Sequence, residues 1–242
     1  VSELLSIAIP TRNRAGYLKE LLHLLEEQVN FDAQILNNVK VYVFDNLSND
    51  DTENIVKSLD VNIIYQKNQS NVGADLNIFQ AYSKVEGKYV WVIGDDELLE
   101  KNALNLVFES INSYHPHLII NRCRGLGTSI ESSIFPNYLE FALTCKQYLP
   151  NLLIAHSLIS LNIVLRNCFD VEFALEKMDT HYAHFYGMMK GLKSDPGLVL
   201  FPQQETVIIR AQRAGWVDGI EPANIFKEHQ NYLEWLTTEY HL

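Results

Sequence analysis

Strand-like and helix-like stretches alternate through the first half of this chain, and each strand-like run ends in a polar cluster. "LLSIAIP" (4–10) is an apolar β-forming run closed by Pro10, and Leu18, Leu21, Leu22 and Leu25 follow at the spacing of one helical face. "VKVYVFD" (39–45) is the second strand, and "DDTENIVKSL" opens a helix whose early acids suit the helix dipole. "VNIIYQ" (61–66) is the third strand, before a helix over about 74–85 that buries Leu76, Phe79 and Tyr82. "KYVWVI" (88–93) is the fourth. Strands separated by helices pair in parallel through right-handed crossovers, so the expected fold is an open α/β sheet with helices on both faces. Ligands of such sheets collect at the carboxyl ends of the strands, where "TRNR", "DNLSNDD" and "GDDE" all fall.

After a helix near 101–113 and a strand "LIINRC" (118–123), the alternation loosens. The polar segment 124–137 is expected to be a mobile loop over the site, and 157–166 a strand. "DVEFALEKM" and "HYAHFYGMMKGL" have helical patterns, "LVLFP" and "TVIIRAQ" suggest a hairpin, and the amphipathic tail presents Ile225, Phe226, Tyr232, Leu233 and Leu236 for packing or for a membrane surface. Two halves of a single domain, 1–113 and 114–242, are the expected division.

Composition narrows the function. A chain of 242 residues can bury a full α/β core, and its formal net charge of -11, without a basic stripe, argues against nucleic acid as a partner. Cys123, Cys145 and Cys168 form no C-x-x-C pair, a pattern of reduced, buried thiols. No stretch reaches the roughly 18–20 apolar residues of a membrane span and no leader pattern is evident, so the expectation is a cytoplasmic protein, with at most peripheral contact to the inner face of the cytoplasmic membrane.

The chemistry points to "GDDE". Asp95, Asp96 and Glu97 follow an apolar strand, with Gly94 letting the backbone turn or approach a ligand. Clustered carboxylates suit a hard cation, Mg²⁺ or Mn²⁺, which bridges them to phosphate oxygens. No P-loop pattern is present, nor a G-x-G-x-x-G after the first strand.

"LSIAIPTRNRAGYLKELL", "VFDNLSNDDTENIV" and "NVGADLNIFQAYSKVEGKYVWVIGDDELL" together resemble the nucleotide-sugar half of a family 2 glycosyltransferase with the GT-A fold. The resemblance covers residues 4 to 110, and Gly before the acids is most like the subgroup that builds bacterial surface polysaccharides, abequosyltransferase-like enzymes among them. It implies a metal-dependent, inverting transfer from a nucleotide diphosphate sugar to a glycan, lipid-linked acceptor. UDP-sugars are the favoured donors, with CDP- or dTDP-sugars as alternatives.

The resemblance also implies roles. Pro10, Thr11 and Arg12 would line the nucleotide pocket, Asp45 would bond the base, and Asn71, Gly73 and Asn77 would lie beside ribose and sugar. Where relatives carry a second acid and then a glycine after Asp45, this chain has Asn46 and Leu47. Gly94 falls on the family's first metal-motif acid and Asp96 on its second, so Asp96 is the expected main metal ligand. Asp95 would serve the ribose or a metal-bound water, with Glu97 and His184 as further metal candidates. The family's base precedes a helix in the second half, which points to Asp179. His181 on the same helix, Arg210 and Arg213 are candidate diphosphate contacts, and Tyr182 and Trp216 candidate acceptor platforms or core. The competing readings are a nucleotidyltransferase of related fold, whose Gly-rich basic loop "PTRNRAGYLK" lacks, and a silent nucleotide- or glycan-binding module.

Overall fold

The computed structural model describes residues 3–59, 63–124, 133–148, 158–178, 180–210 and 222–242. In order, the chain forms β1 (Leu5–Thr11), α1 (Ala15–Phe31), α2 (Ala33–Asn38), β2 (Val39–Asp45), α3 (Thr52–Lys57), β3 (Ile63–Lys67), α4 (Ala74–Ser83) and β4 (Tyr89–Val92). Then come β5 (Leu98–Leu99), α5 (Ala103–Tyr114), β6 (Leu118–Ile120), β7 (Arg122–Arg124), β8 (Ser133–Phe135), α6 (Tyr138–Tyr148) and β9 (Asn162–Leu165). The last elements are α7 (Val171–Glu176), α8 (Ala183–Ser194), β10 (Val199–Phe201), β11 (Glu205–Ile208) and α9 (Pro222–Tyr240).

Among the described residues an eight-stranded sheet runs β3-β2-β1-β4-β9-β6-β10-β8, and a three-stranded sheet runs β5-β11-β7. The first four strands of the large sheet are parallel, as the alternation requires. β9 is antiparallel to both its neighbours, β4 and β6, so β4 and β6 point the same way. The carboxyl ends of β1, β2, β4 and β6 therefore share one edge with the start of β9.

Alternation along the strands divides the core in two. Ile7 and Ile9 face the cluster built by Leu18, Leu21, Leu22 and Leu25 of α1, while Ala8 faces the other, with Tyr82 and Phe185. All four α1 leucines are buried, each worth roughly 1.5–3 kcal/mol. Of the α4 residues, Phe79 and Tyr82 are buried and Leu76 is partly so.

Several boundaries differ from the sequence reading. Pro10 does not end β1 but pairs with Phe44 of β2; β4 pairing stops at Ala8, so no ladder bond is lost to the missing N–H. The strand at 118–123 breaks at Asn121, whose N–H goes to Leu161, and β6 and β7 fall in different sheets. The expected hairpin is not formed: β10 pairs with β6 and β8 in the large sheet, β11 with β5 and β7 in the small one. Pro202 between them cannot donate to a ladder and marks the change of sheet. Part of the expected 124–137 loop is strand β8, and α2, β5 and α6 were not expected from the pattern. Among the described residues no helix is long and apolar enough to cross a membrane.

Candidate active site

The acids of "GDDE" meet the end of β1. Thr11, buried on β1, donates its hydroxyl to Asp95 Oδ2 at 2.7 Å. Arg14, in the turn before α1, places Nη1 3.0 Å from Asp95 Oδ1 and 3.3 Å from Asp96 Oδ2. One guanidinium thus sits against two carboxylates. Burial pushes the Asp95 carboxyl up to about 6; Arg14 and Thr11 pull it down, and the Asp96 charge adds to the rise. Burial opposes the charge on Arg14, but the two aspartates outweigh it and raise its pKa. Asp96 differs from its neighbour: its side chain is 28% exposed against 5% for Asp95. The backbone under them is pinned, because Gly94 N–H donates to the Ser160 hydroxyl at 3.0 Å, at the start of β9. Glu97 is buried, its N–H closing a turn on Gly94 O.

Asp45, at the end of β2, is fully buried. Its Oδ1 accepts from Ser48 N–H at 2.8 Å and its Oδ2 from the Tyr65 hydroxyl at 2.5 Å, with Lys67 Nζ 3.9 Å away. Burial and this bond to Asp45 raise the Tyr65 pKa. The next two residues, Asn46 and Leu47, shape the loop that follows. Asn46 is the knot of the adjoining loop: its Nδ2 donates to Asn71 Oδ1 (2.7 Å) and Gly73 O (3.2 Å), and its Oδ1 accepts from Val72 N–H (2.9 Å). Leu47 has φ +62°, the left-handed region that disfavours a side chain by roughly 1–2 kcal/mol.

The segment from Asn71 to α4 is fixed by the same web. Gly73, with φ +83°, turns the chain into α4. Asn77 is buried and uses both ends of its amide, donating to Phe44 O at 3.0 Å and accepting from Asn68 at 3.1 Å. Its place is therefore beneath the loop, holding α4 to the end of β2. Two residues earlier, buried Asp75 reaches into the second half of the chain, where its Oδ2 accepts His181 N–H at 2.8 Å. His181 also has a left-handed backbone, φ +62°.

The structure thus brings Thr11, Asp95 and Asp96 together, sets Pro10 and Arg12 at and just past the end of β1, and places Asp45, Asn71, Gly73 and Asn77 around the end of β2. His184 goes elsewhere. It packs on Tyr82 (6.0 Å between ring centres) and Phe185 (4.4 Å), with neither ring nitrogen hydrogen-bonded, and burial lowers its pKa to about 3. Among the described residues, Asp96, Glu97 and His184 do not converge as a three-ligand set; the one such set lies at the opposite edge of the sheet. Arg210 pairs with Glu20 of α1 at 2.7 Å, and Tyr182 stacks on Tyr232. Asp179, Arg213 and Trp216 lie outside the described residues. Sequence reasoning missed Arg14, Tyr65 and Asn46 as contributors. Arg14 was visible in "TRNR" as a cation at a strand end; nothing in the sequence marked the other two.

A mostly parallel sheet with two carboxylates and an arginine at the β1 and β4 ends, and a buried aspartate at the β2 end, is the architecture of an α/β protein of the GT-A type. The Glycosyl transferase family 2 profile matches residues 6–131, and the chain belongs to that family. It is 27% identical over 226 residues to the abequosyltransferase RfbV of Salmonella typhimurium, a match covering 86% of this chain and 66% of that protein. It is also 29% identical over 121 residues to the GalNAc(5)-diNAcBac-PP-undecaprenol beta-1,3-glucosyltransferase of Campylobacter jejuni, covering 48% of this chain and 37% of the relative. The chain thus spans less than two thirds of the length of these curated relatives. In structure it is similar to S. aureus TarS 1-349 in complex with UDP-GlcNAc, with TM-score 0.66, 16% identity, and 93% of this chain and 64% of that one covered. It is likewise similar to the mannosyltransferase PcManGT from Pyrobaculum calidifontis in complex with GDP-Man and Mn²⁺, with TM-score 0.60, 13% identity, and 89% and 59% covered.

Proposed function

We propose that this chain is the catalytic part of a metal-dependent, inverting glycosyltransferase. It moves a sugar from a nucleotide diphosphate sugar to a lipid-linked glycan in bacterial surface polysaccharide synthesis. The observation that carries this reading is the Thr11–Arg14–Asp95–Asp96 cluster on the sheet edge it shares with Asp45. The curated relatives named above act in bacterial glycan assembly, and the solved neighbours hold UDP-GlcNAc, or GDP-Man with Mn²⁺.

The donor set fits a hard cation held largely by its substrate. Asp96 offers a partly exposed carboxylate, and Gly94 leaves the space beside Asp96 Oδ1 that a Cβ would enter at 3.1 Å. Mg²⁺ or Mn²⁺ needs only one or two carboxylates when diphosphate oxygens and waters complete its shell. When bound, such an ion stabilises negative charge on the departing diphosphate. Asp96, with Glu97 beside it, would hold it, and Arg14, released from the aspartates, would add its own charge to the diphosphate. Asp95 would orient the ribose, while Asp45 and the loop at Asn71–Gly73 hold the base and sugar ends of the donor. Asp179 would take the acceptor hydroxyl proton as that oxygen attacks the anomeric carbon from the face opposite the diphosphate. The carbon–oxygen bond to the diphosphate breaks and the configuration inverts. Residues 1–113 would serve the donor and 114–242 the acceptor, in the cytoplasm or at its membrane face.

The test is a thermal-shift screen of nucleoside diphosphates and nucleotide sugars, with and without Mn²⁺, followed by transfer assays with the best donor. Ligand at a hundredfold excess over its Kd adds about 2.7 kcal/mol of stability. A Mn²⁺-dependent shift with a UDP-, CDP- or dTDP-sugar is expected. Pyrophosphate release from a nucleoside triphosphate and a sugar phosphate would establish nucleotidyl transfer instead, and binding without turnover would establish a silent module.

A further inference from the structure

Three ligand-type side chains meet at the edge of the sheet opposite the nucleotide site. His117 immediately precedes β6, Cys168 closes the short 3-10 turn after β9 (166–168), and Asp195 caps the end of α8. Because β9 runs antiparallel to β6, the end of one lies beside the start of the other, and Leu165 N–H bonds His117 O at 2.8 Å. His117 Nε2 stands 3.9 Å from Asp195 Oδ1, and Cys168 Sγ stands 3.9 Å from Asp195 Oδ2. One ligand atom from each of the three lies within 4.8 Å of the others.

The His117–Asp195 separation is long for a hydrogen bond, the Cys168 thiol makes only weak sulfur contacts to Asp195 Oδ2 and to Asp195 O at 4.0 Å, and the spacing suits an ion between the groups. The centre of an equilateral triangle with sides of 3.9 to 4.8 Å lies about 2.3–2.8 Å from its corners. Zinc binds Cys sulfur at about 2.3 Å and His nitrogen or carboxylate oxygen at about 2.0–2.2 Å, so an inward movement of a few tenths of an ångström closes the set. Two glycines make the approach. A Cβ on Gly191 would meet Cys168 O at 2.1 Å, and one on Gly197 would meet His117 Nδ1 at 2.1 Å. Only without those atoms can the end of α8 and the following turn press against both ligands. Cys168 is fully buried, whereas the Asp195 side chain is 60% exposed and gives a cation its route in.

We propose that His117, Cys168 and Asp195 form a second cation site, selective for zinc-like ions, with water in the fourth position. Thiolate and imidazole select Zn²⁺ or Co²⁺ over Mg²⁺ and Mn²⁺, which sets this site apart from the oxygen-only one. Binding expels the Cys168 thiol proton to the buffer, forming the sulfur–metal bond. Lying on the far edge, the ion ties β6, the end of β9 and α8 together and does not reach the reacting groups; its effect is on stability.

The experiment titrates the chelator-stripped, untagged chain with Co²⁺, reading thiolate-to-cobalt charge-transfer absorption and the visible bands of a four-coordinate ion, followed by displacement with Zn²⁺. One equivalent is expected to saturate the signal, Zn²⁺ to raise the melting temperature, and Mn²⁺ to give no charge-transfer band. Cys168→Ser should abolish the band. Asp195→Asn and His117→Asn should weaken Co²⁺ binding by at least 10–100-fold, the loss seen even for outer-shell partners. Asp96→Asn should keep both the band and its affinity. No stoichiometric binding, or a band that persists in Cys168→Ser and so belongs to Cys123 or Cys145, overturns the site. Should Cys168→Ser not fold, the exposed Asp195→Asn decides: unchanged Co²⁺ affinity there overturns it equally.

Discussion

Asp95→Asn separates what the site costs from what it does. The carboxyl is nearly fully buried, and its pKa is raised from 3.8 to about 6. At 1.36 kcal/mol per unit, keeping Asp95 ionised at neutral pH costs the folded state about 3 kcal/mol. Asparagine removes that charge while keeping the shape, and its amide oxygen can still accept the Thr11 hydroxyl. Arg14 is not stranded, because it remains partly exposed and 3.3 Å from Asp96. The variant should therefore be more stable than the parent at pH 7, by up to about 3 kcal/mol, or roughly 6–12 °C in Tm for a chain of this size. Donor turnover should be lost. The sign of the pH dependence follows from the direction of the shift. With the folded value above the unfolded one, the folded protein binds more protons between about pH 4 and 6. Parent stability should thus fall, relative to the variant, as pH rises through that window, and the difference should close near pH 4. Urea melts at pH 4.5 and 7 measure both ends. A variant less stable than the parent at pH 7 would show that the Arg14 and Thr11 contacts outweigh desolvation, and the reasoning would fail.

Asp96→Asn removes a partly exposed carboxylate 3.3 Å from Arg14, so it should change urea stability by no more than about 1 kcal/mol, while Mn²⁺-supported turnover collapses; transfer at the parental rate in EDTA would contradict it. Asp45→Ala strips partners from Ser48 N–H and the Tyr65 hydroxyl, so it should cost about 1–3 kcal/mol in folding as well as weaken nucleoside diphosphate binding. Calorimetry showing full affinity would reduce Asp45 to a structural acid. Asp179→Asn should keep donor binding and lower transfer by about 10²- to 10⁴-fold. Parental turnover would point instead to Glu172 or Glu176, and lost donor binding would move Asp179 into the nucleotide site.

The fold of the first half was legible because its signals are local. Leucines at helical spacing and short apolar runs fix which face of each element is buried, and the order of elements then fixes the parallel sheet. That the polar clusters holding Thr11, Asp45, Asp95 and Asp96 fall at strand ends followed from that order; which residue would do what came only from the family resemblance. The second half was less legible because its strands are three or four residues long and their partners are distant in sequence. β10 and β11 are separated by three residues yet belong to different sheets, a choice made by β6, β8, β5 and β7 rather than by the residues between them. His184 shows the same limit at the level of one side chain. Its helical position alone left metal ligand and aromatic packing both open, and the Tyr82 ring, a hundred residues away, puts it in packing.

Arg14 explains how two adjacent aspartates can end a buried strand before any cation or diphosphate arrives. Asp95 and Asp96 together carry two negative charges on an edge where the backbone offers little hydration, and a single guanidinium touches both. One guanidinium against two carboxylates leaves that pairing incomplete, and burial, the larger cause, keeps the Asp95 pKa raised despite it. A divalent ion on the open side of Asp96 would supply the deficit and free Arg14 in the same event. The arginine would then lose its partners just as a diphosphate, rich in negative oxygens, came within its reach. Cation and donor would thus favour each other through one side chain, each relieving the charge imbalance that the other creates.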